Sequence, residues 1–263
     1  MSARALVQTY PMGIMAPRTL ANGHPTLLRI LRPGVSVLDV GCGPGTLTME
    51  IARRVDPGAV VGMDVNPRMI RAAEAATPPG TIPNLIFYAR DIRDSDWREE
   101  FDVVNAARTL EWIADPAAAL ARMARAAVPG GLIVTLDVDH ARAAWSNPPA
   151  LWIRFYRAFL AWREACRFDN AVGRRLPLFC EQAGLVDTAS TTAITTVRAA
   201  DADFFRVAGR WRMLIEGRGR QMVAAGHLRE TERRGALDAY TGWIQDPDAA
   251  QTVYETCILA RRP

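Results

Sequence analysis

The sequence predicts a doubly wound α/β fold: a mostly parallel, seven-stranded sheet with helices on both faces and helical cap insertions in its C-terminal half. Three observations lead there. Val35 to Val40 form an apolar, β-branched run that enters a turn with glycine at 41, 43 and 45, followed by a helical stretch from Thr46 to Ile51. Such a short apolar run suits a strand covered on both faces. Further apolar runs then alternate with helical patterns as far as Asp137, as in successive βαβ units. Beyond Asp137 an aromatic-rich segment precedes each of the last two predicted strands.

At 263 residues the chain suits one domain with an elaboration, with enough length to bury a sizeable core. No apolar run is long enough to span a bilayer. The N-terminus has no basic segment followed by an uninterrupted apolar one, so no membrane insertion and a cytoplasmic location are expected. The formal charge is +4, every basic side chain except the histidines is arginine, and these are spread along the chain. Nucleic-acid binders concentrate charge on one face, so no nucleic-acid partner is expected. Cys42, Cys166, Cys180 and Cys257 are far apart, and His24, His140 and His227 are isolated, which argues against a disulfide framework or a metal site.

Taken in order, residues 1–34 are expected to form a helical lid, with one helix starting near Pro17 and running toward Leu31 before Pro33-Gly34 stops it. The first strand and glycine turn follow. Leu47, Ile51 and Val55 recur at helical spacing, and Ala59 to Met63 read as the second strand, ended by Asp64. Asn66 and Pro67 have the character of an N-cap and first helical residue, with Met69, Ile70 and Ala73 facing inward. Asn84 to Ala89 form the third strand, leading to Arg90-Asp91-Ile92. Phe101 to Ala106 form the fourth, and Ala107 to Ile113 lie at its carboxyl end, where open α/β sheets bind ligands. Asp115-Pro116 starts a helix, and Pro129-Gly130-Gly131 turns into the fifth strand, Leu132 to Asp137. The sixth strand is Val186 to Val197 and the last Thr252 to Ala260, leaving cap insertions at about 141–182 and 201–248. Their aromatic stripes suit either a core or a dimer surface, which makes a homodimer compatible with the sequence, and together they suit a mid-sized organic substrate rather than a polynucleotide.

The glycine turn admits two ligands. A nucleotide phosphate can sit on the helix N-terminus behind such a turn, but a dinucleotide fold places its third glycine one position later than Gly45. Asp39, two residues before Gly41, suits a cationic ligand better than a pyrophosphate. The pattern Asp39-x-Gly41-x-Gly43-x-Gly45 resembles the first motif of the class I S-adenosylmethionine-dependent methyltransferases, with a specific match from about Val35 to Asp137. The resemblance implies a Rossmann-like methyltransferase fold over 35–263, S-adenosylmethionine as cofactor and a small-molecule acceptor of the quinone-biosynthesis or natural-product kind. It implies cofactor contacts at Asp39, Gly41, Cys42, Gly43, Gly45, Val65, Met69 and Ala107, with Asp64 on the ribose and Asp91 beside the Ile92 N–H on the adenine edge. Tyr10 and Arg18 are lid candidates, for the sulfonium and the methionine carboxylate respectively. Asp64 alone does not separate this from a nicotinamide-dependent oxidoreductase, and a non-catalytic cofactor-binding protein is a third alternative. The family frequently places a Leu-Glu-His group after the fourth strand, where this chain has Leu110-Glu111-Trp112, so no catalytic histidine is expected at that position. Methyl transfer needs chiefly alignment; where a base is used, His140, just past the fifth strand, is the best-placed candidate.

Overall fold

The computed structural model describes residues 19–263. Where one N-terminal helix is expected there are two short ones, α1 (Leu20–Gly23) and α2 (Pro25–Ile30). Pro25 lacks the N–H that would continue the first and opens the second instead. Leu20, Leu27 and Leu31 are buried in one cluster with Val37, Ile51 and Val55, so this part of the expected lid is packed onto the sheet's flank.

The wound part follows in order as β1 (Val37–Val40), α3 (Thr46–Val55), β2 (Val60–Asp64), α4 (Pro67–Ala76), β3 (Leu85–Ala89), β4 (Phe101–Ala107), α5 (Pro116–Ala126) and β5 (Ala127–Val138). Successive strand residues face opposite layers, as period two requires. Val37, Val103 and Val134 join the cluster under α2 and α3, while Leu38, Val104 and Ile133 join the one under α5. The starts of α4 and α5 obey local chemistry: Asn66 and Asp115 accept from the backbone N–H groups of Arg68 and Ala118, and each is followed by proline. The expected Pro129-Gly130-Gly131 turn lies inside β5 as an irregularity, because pairing jumps from Phe101↔Ala127 to Val103↔Leu132.

Then come β6 (Ala144–Trp145), α6 (Ala150–Ala165), α7 (Val172–Gln182), β7 (Val186–Arg198), α8 (Phe204–Ala224), α9 (Glu230–Trp243) and β8 (Ala250–Arg261). The sheet has eight strands rather than seven, the two-residue β6 being the addition, in the order β3-β2-β1-β4-β5-β8-β6 with β7 also on β8. β1 to β5 are parallel, and β8 runs against each of its neighbours β5, β6 and β7. The order reverses between β1 and β4, and the crevice at their carboxyl ends is where an open α/β sheet takes a ligand.

The insertions divide differently from the expectation. Val172, Leu176 and Phe179 of α7 pack into the sheet core, so that helix covers the sheet. The cap proper is α6, α8 and α9, whose Trp152, Phe155, Phe159, Trp162, Phe204 and Tyr240 form a separate buried cluster. Most of the aromatic stripe is therefore the interior of the cap, while Phe205 is exposed. No helix among the described residues is long and apolar enough to cross a membrane.

Candidate active site

The glycine turn is pinned to the end of the neighbouring strand: the N–H groups of Gly41 and Cys42 both donate to the Met63 carbonyl, at 2.7 and 2.9 Å. Gly41 has φ 75, and a Cβ there would run into the side chain of Thr109. Glycine is required at this point both for the left-handed backbone and for the close approach of Thr109. Gly45, at φ 79, caps α3, and a Cβ there would meet Phe87 at 2.8 Å.

A cavity of about 500 Å³ opens beside this turn. That is within the range of small-molecule sites. At one end it is lined by Gly41, Asp64, Val65, Met69, Asp91 and Ile92. Asp64 ends β2 with one carboxylate oxygen accepting from Gly43 N–H at 2.9 Å and the other from Asn66 N–H at 2.8 Å. Burial raises its pKa, and those two hydrogen bonds oppose the rise. Each oxygen keeps a second acceptor site, as two adjacent ribose hydroxyls require. Asp91 is buried and caps the short 3-10 turn Ile92–Asp94. Its carboxylate is also gripped by the Arg93 guanidinium, which donates from Nε at 3.0 Å and Nη2 at 2.7 Å.

Several expected contacts lie elsewhere. Tyr10 and Arg18 fall outside the described residues. Asp39 is turned away from the cavity, accepting from the Thr48 hydroxyl at 2.6 Å and from the Asn105 amide at 2.8 Å. Burial holds its carboxyl up to about 6, against the pull of those two hydrogen bonds. Strand alternation is the reason: Asp39 shares a face with Val37, which looks toward α3, so it clamps α3 to β4 and does not line the cavity. Cys42 is buried beneath the turn, Gly43 serves through its N–H to Asp64, and Gly45 through the helix cap; these three and Ala107 are not part of the cavity wall. After Ala107 the chain swings out at Arg108, φ 54, an uncommon conformation for a long side chain. Arg108 lines the cavity and pairs with Glu255 at 2.6 Å.

At the other end His140 lies buried, its Nε2 at 3.1 Å from Glu111 Oε2. Glu111 was missed by the sequence reading, which saw only the lack of histidine after the fourth strand. Both residues stand just past the carboxyl ends of adjacent parallel strands, β4 and β5, and that adjacency brings them together. Burial and the Arg163 charge lower the His140 pKa, so its ring is neutral, with Nε2–H donating to Glu111. Burial pushes Glu111 upward, but the His140 hydrogen bond and the Arg163 and Arg108 charges outweigh it and hold its carboxyl below the ordinary range. His140 Nδ1 is buried with no hydrogen-bond partner among the described residues. The rings of Trp112, Phe159 and Trp211 stand edge-on around the imidazole, at 6.4, 5.7 and 6.4 Å between centroids.

Comparison with known proteins gives the arrangement its family. A methyltransferase domain family matches residues 31–160. The chain is 31% identical over 213 residues to a trans-aconitate 2-methyltransferase of Methylobacterium radiotolerans, covering 78% of this chain and 75% of that one. It is 38% identical over 104 residues to the nocamycin O-methyltransferase of Saccharothrix syringae, covering 39% and 37% of the two chains. Among solved structures, the fold is similar to the S-adenosylmethionine complex of Haemonchus contortus phosphoethanolamine N-methyltransferase 2, with a TM-score of 0.67 at 16% identity, spanning 100% of this chain and 60% of that one. The parallel sheet, its order and its glycine turn agree with this match, and the chain belongs to the class I S-adenosylmethionine-dependent methyltransferases.

Proposed function

We propose that the chain methylates a small organic acceptor held between the glycine turn and the aromatic cap, with His140 taking the acceptor's proton. One observation carries this reading: a single cavity joins Gly41, Asp64 and Asp91 at one end to Trp112, His140 and Trp211 at the other. A cofactor and a mid-sized acceptor fit such a space end to end, and an enclosed aromatic cap favours a metabolite over a polynucleotide. The relatives named for trans-aconitate and nocamycin support a small acceptor.

At the cofactor end the proposed holders are Asp64 for the ribose hydroxyls, Asp91 with the Ile92 backbone for the adenine edge, and Val65 and Met69 as apolar walls, with Tyr10 and Arg18 retained as lid candidates. When bound, S-adenosylmethionine supplies an electrophilic methyl group with its leaving group already in place. What remains for the chain is alignment and proton removal. Glu111 fixes the His140 tautomer and steadies the imidazolium that forms when Nδ1 accepts a proton, while Trp112, Phe159 and Trp211 hold the ring and keep water from it. Action in the cytoplasm is compatible with the four cysteines, all of them free thiols.

The test is calorimetric titration with S-adenosylmethionine, S-adenosylhomocysteine and NAD, followed by transfer of a labelled methyl group to a panel of acids, phenols and amines that includes trans-aconitate. Binding of the two sulfur nucleosides together with label in an acceptor is the expected result. Binding of NAD alone, or cofactor binding with label in no acceptor, overturns the proposal.

A further inference from the structure

The acceptor end of the cavity is rich in cations. Arg108 lines it on one side, and Arg206, Arg210 and Arg218 of α8 line it on the other. Arg206 is paired with Asp203 at 2.7 Å and Arg108 with Glu255 at 2.6 Å. Arg210 is different: it makes no ion pair or hydrogen bond with the described residues, and its Nε is buried without a partner. Residues 1–18 contain no aspartate or glutamate, so that segment has no carboxylate to give it.

Its placement is costly in two ways. Arg206 is four residues before it, a like-charge spacing that destabilises a helix. Burial, then Arg108 and Arg206, holds its pKa below the ordinary arginine value, against the opposing pull of Glu255 and Asp203, which are already paired with those two arginines. A guanidinium with no hydrogen-bond partner among the described residues makes sense there when an anion arrives to share it. Between the polar side chains, the lining offers apolar surface from Val207, Trp211 and Leu214 of α8 and from Val197 and Val253 of the sheet.

We infer that Arg210 seats an anionic group of the methyl acceptor, so that the acceptor is an organic acid whose apolar body lies against Trp211 and Leu214. Arginine suits this task because its planar fork matches a carboxylate with two parallel hydrogen bonds. The inference rests on the methyl-transfer reading of the cavity, and the experiment keeps the two apart. Cinnamate and its neutral isostere cinnamamide are titrated against the S-adenosylhomocysteine-saturated chain at low ionic strength, followed by ligand-observed NMR, for the wild type, Arg210→Gln and Arg210→Lys. Cinnamate is expected to bind the wild type at least about tenfold tighter than the amide, the low end for a charge-assisted hydrogen bond in a buried site. Arg210→Gln brings the two ligands within about twofold of each other, Arg210→Lys keeps part of the preference, and S-adenosylhomocysteine affinity is the same in all three. Equal binding of acid and amide to the wild type, a preference that survives in Arg210→Gln, or no detectable cinnamate binding overturns the assignment. Failure of the wild type to bind S-adenosylhomocysteine overturns the cavity reading, and the inference with it.

Discussion

Asp64 offers the sharpest test of the cofactor end, because its carboxylate has a structural task and a proposed ligand task that can be measured separately. Replacing it with alanine strips the acceptor from two backbone donors, Gly43 N–H at 2.9 Å and Asn66 N–H at 2.8 Å. A buried donor left unsatisfied costs about 1–3 kcal/mol, but here the cavity lets water reach the vacated space and the burial penalty of the carboxylate is recovered. A net loss of about 2 kcal/mol is expected, or about 4–8 °C in Tm for a chain of this size. Loss of the ribose hydrogen bonds to a charged acceptor should weaken S-adenosylhomocysteine by about 10–100-fold. Asp64→Asn keeps the shape but sets an amide NH2 against one of the two donors, so it should lose comparable stability. Calorimetry with S-adenosylhomocysteine and with its 2′-deoxy and 3′-deoxy analogues completes a double-mutant cycle. The wild type should discriminate against at least one deoxy analogue, and Asp64→Ala should not. If Asp64→Ala lowers Tm yet binds S-adenosylhomocysteine within twofold of the wild type, Asp64 only braces the turn and the ribose lies elsewhere.

Gly41→Ala should cost about 2–4 kcal/mol in denaturant unfolding, from a left-handed backbone and from overpacking against Thr109; a loss under about 1 kcal/mol contradicts the close approach. Glu111→Gln should lower kcat by about 10–100-fold and move the acid limb of the pH–rate profile downward, since loss of the carboxylate lowers the His140 pKa further; an unmoved limb removes His140 as the base. Burial chiefly, and then Arg108, lowers His24 from 6.5 to about 4, so the unfolded chain binds its proton more tightly and stability falls as the pH drops from about 6.5 to 4, on the order of 3 kcal/mol. Asp39 is held up to about 6 and acts with the opposite sign, losing on the order of 3 kcal/mol as the pH rises from about 4 to 6. The two slopes oppose each other in the wild type, so His24→Gln should expose a fall in stability with rising pH, and Asp39→Asn a fall with falling pH; parallel curves for wild type and both variants refute the assignments.

The residues that line the proposed cofactor end were legible because they are local. A strand that stops at Asp64, a glycine turn and an acid after the third strand sit at the carboxyl ends of successive strands, and the parallel βαβ rule brings those ends together. Asp39 does not line the cavity, and strand alternation, applied one residue further, puts it on the α3 side with Val37. Glu111 was passed over because the sequence was compared with a histidine pattern; the neighbouring of β4 and β5 was the signal that pairs it with His140. Arg163, Arg210 and Arg218 were out of reach. They come from insertions whose helices pack on one another, so no strand register fixes where their side chains arrive.

That difference extends to how the cap divides its work. α6 contributes no side chain to the cavity wall, yet it holds the proposed base and its partner in place: the Tyr156 hydroxyl donates to the His140 carbonyl at 2.6 Å, and Arg163 Nη2 donates to the Glu111 carbonyl at 2.9 Å. Arg163 is fully buried, with its guanidinium 4.6 Å from the centre of the Trp112 ring and Nε donating to Asn170 at 2.8 Å. A buried charge costs several kcal/mol unless it is paired and hydrogen-bonded, and here its partners are the main chain of Glu111, an aromatic face and an amide, all of which require α6 to stay seated. Asp137 completes the cluster by accepting from Glu111 N–H at 3.1 Å, and its own carboxyl is pushed up by burial and by the Glu111 charge. α8 bears the other burden, since Arg206, Arg210, Trp211, Leu214 and Arg218 line the cavity on the side proposed for the acceptor. On the proposed reading one helix fastens the base and its carboxylate partner and another shapes the acceptor pocket, so substitutions along α8 should change which molecule is methylated while the Glu111–His140 pair stays where the sheet put it.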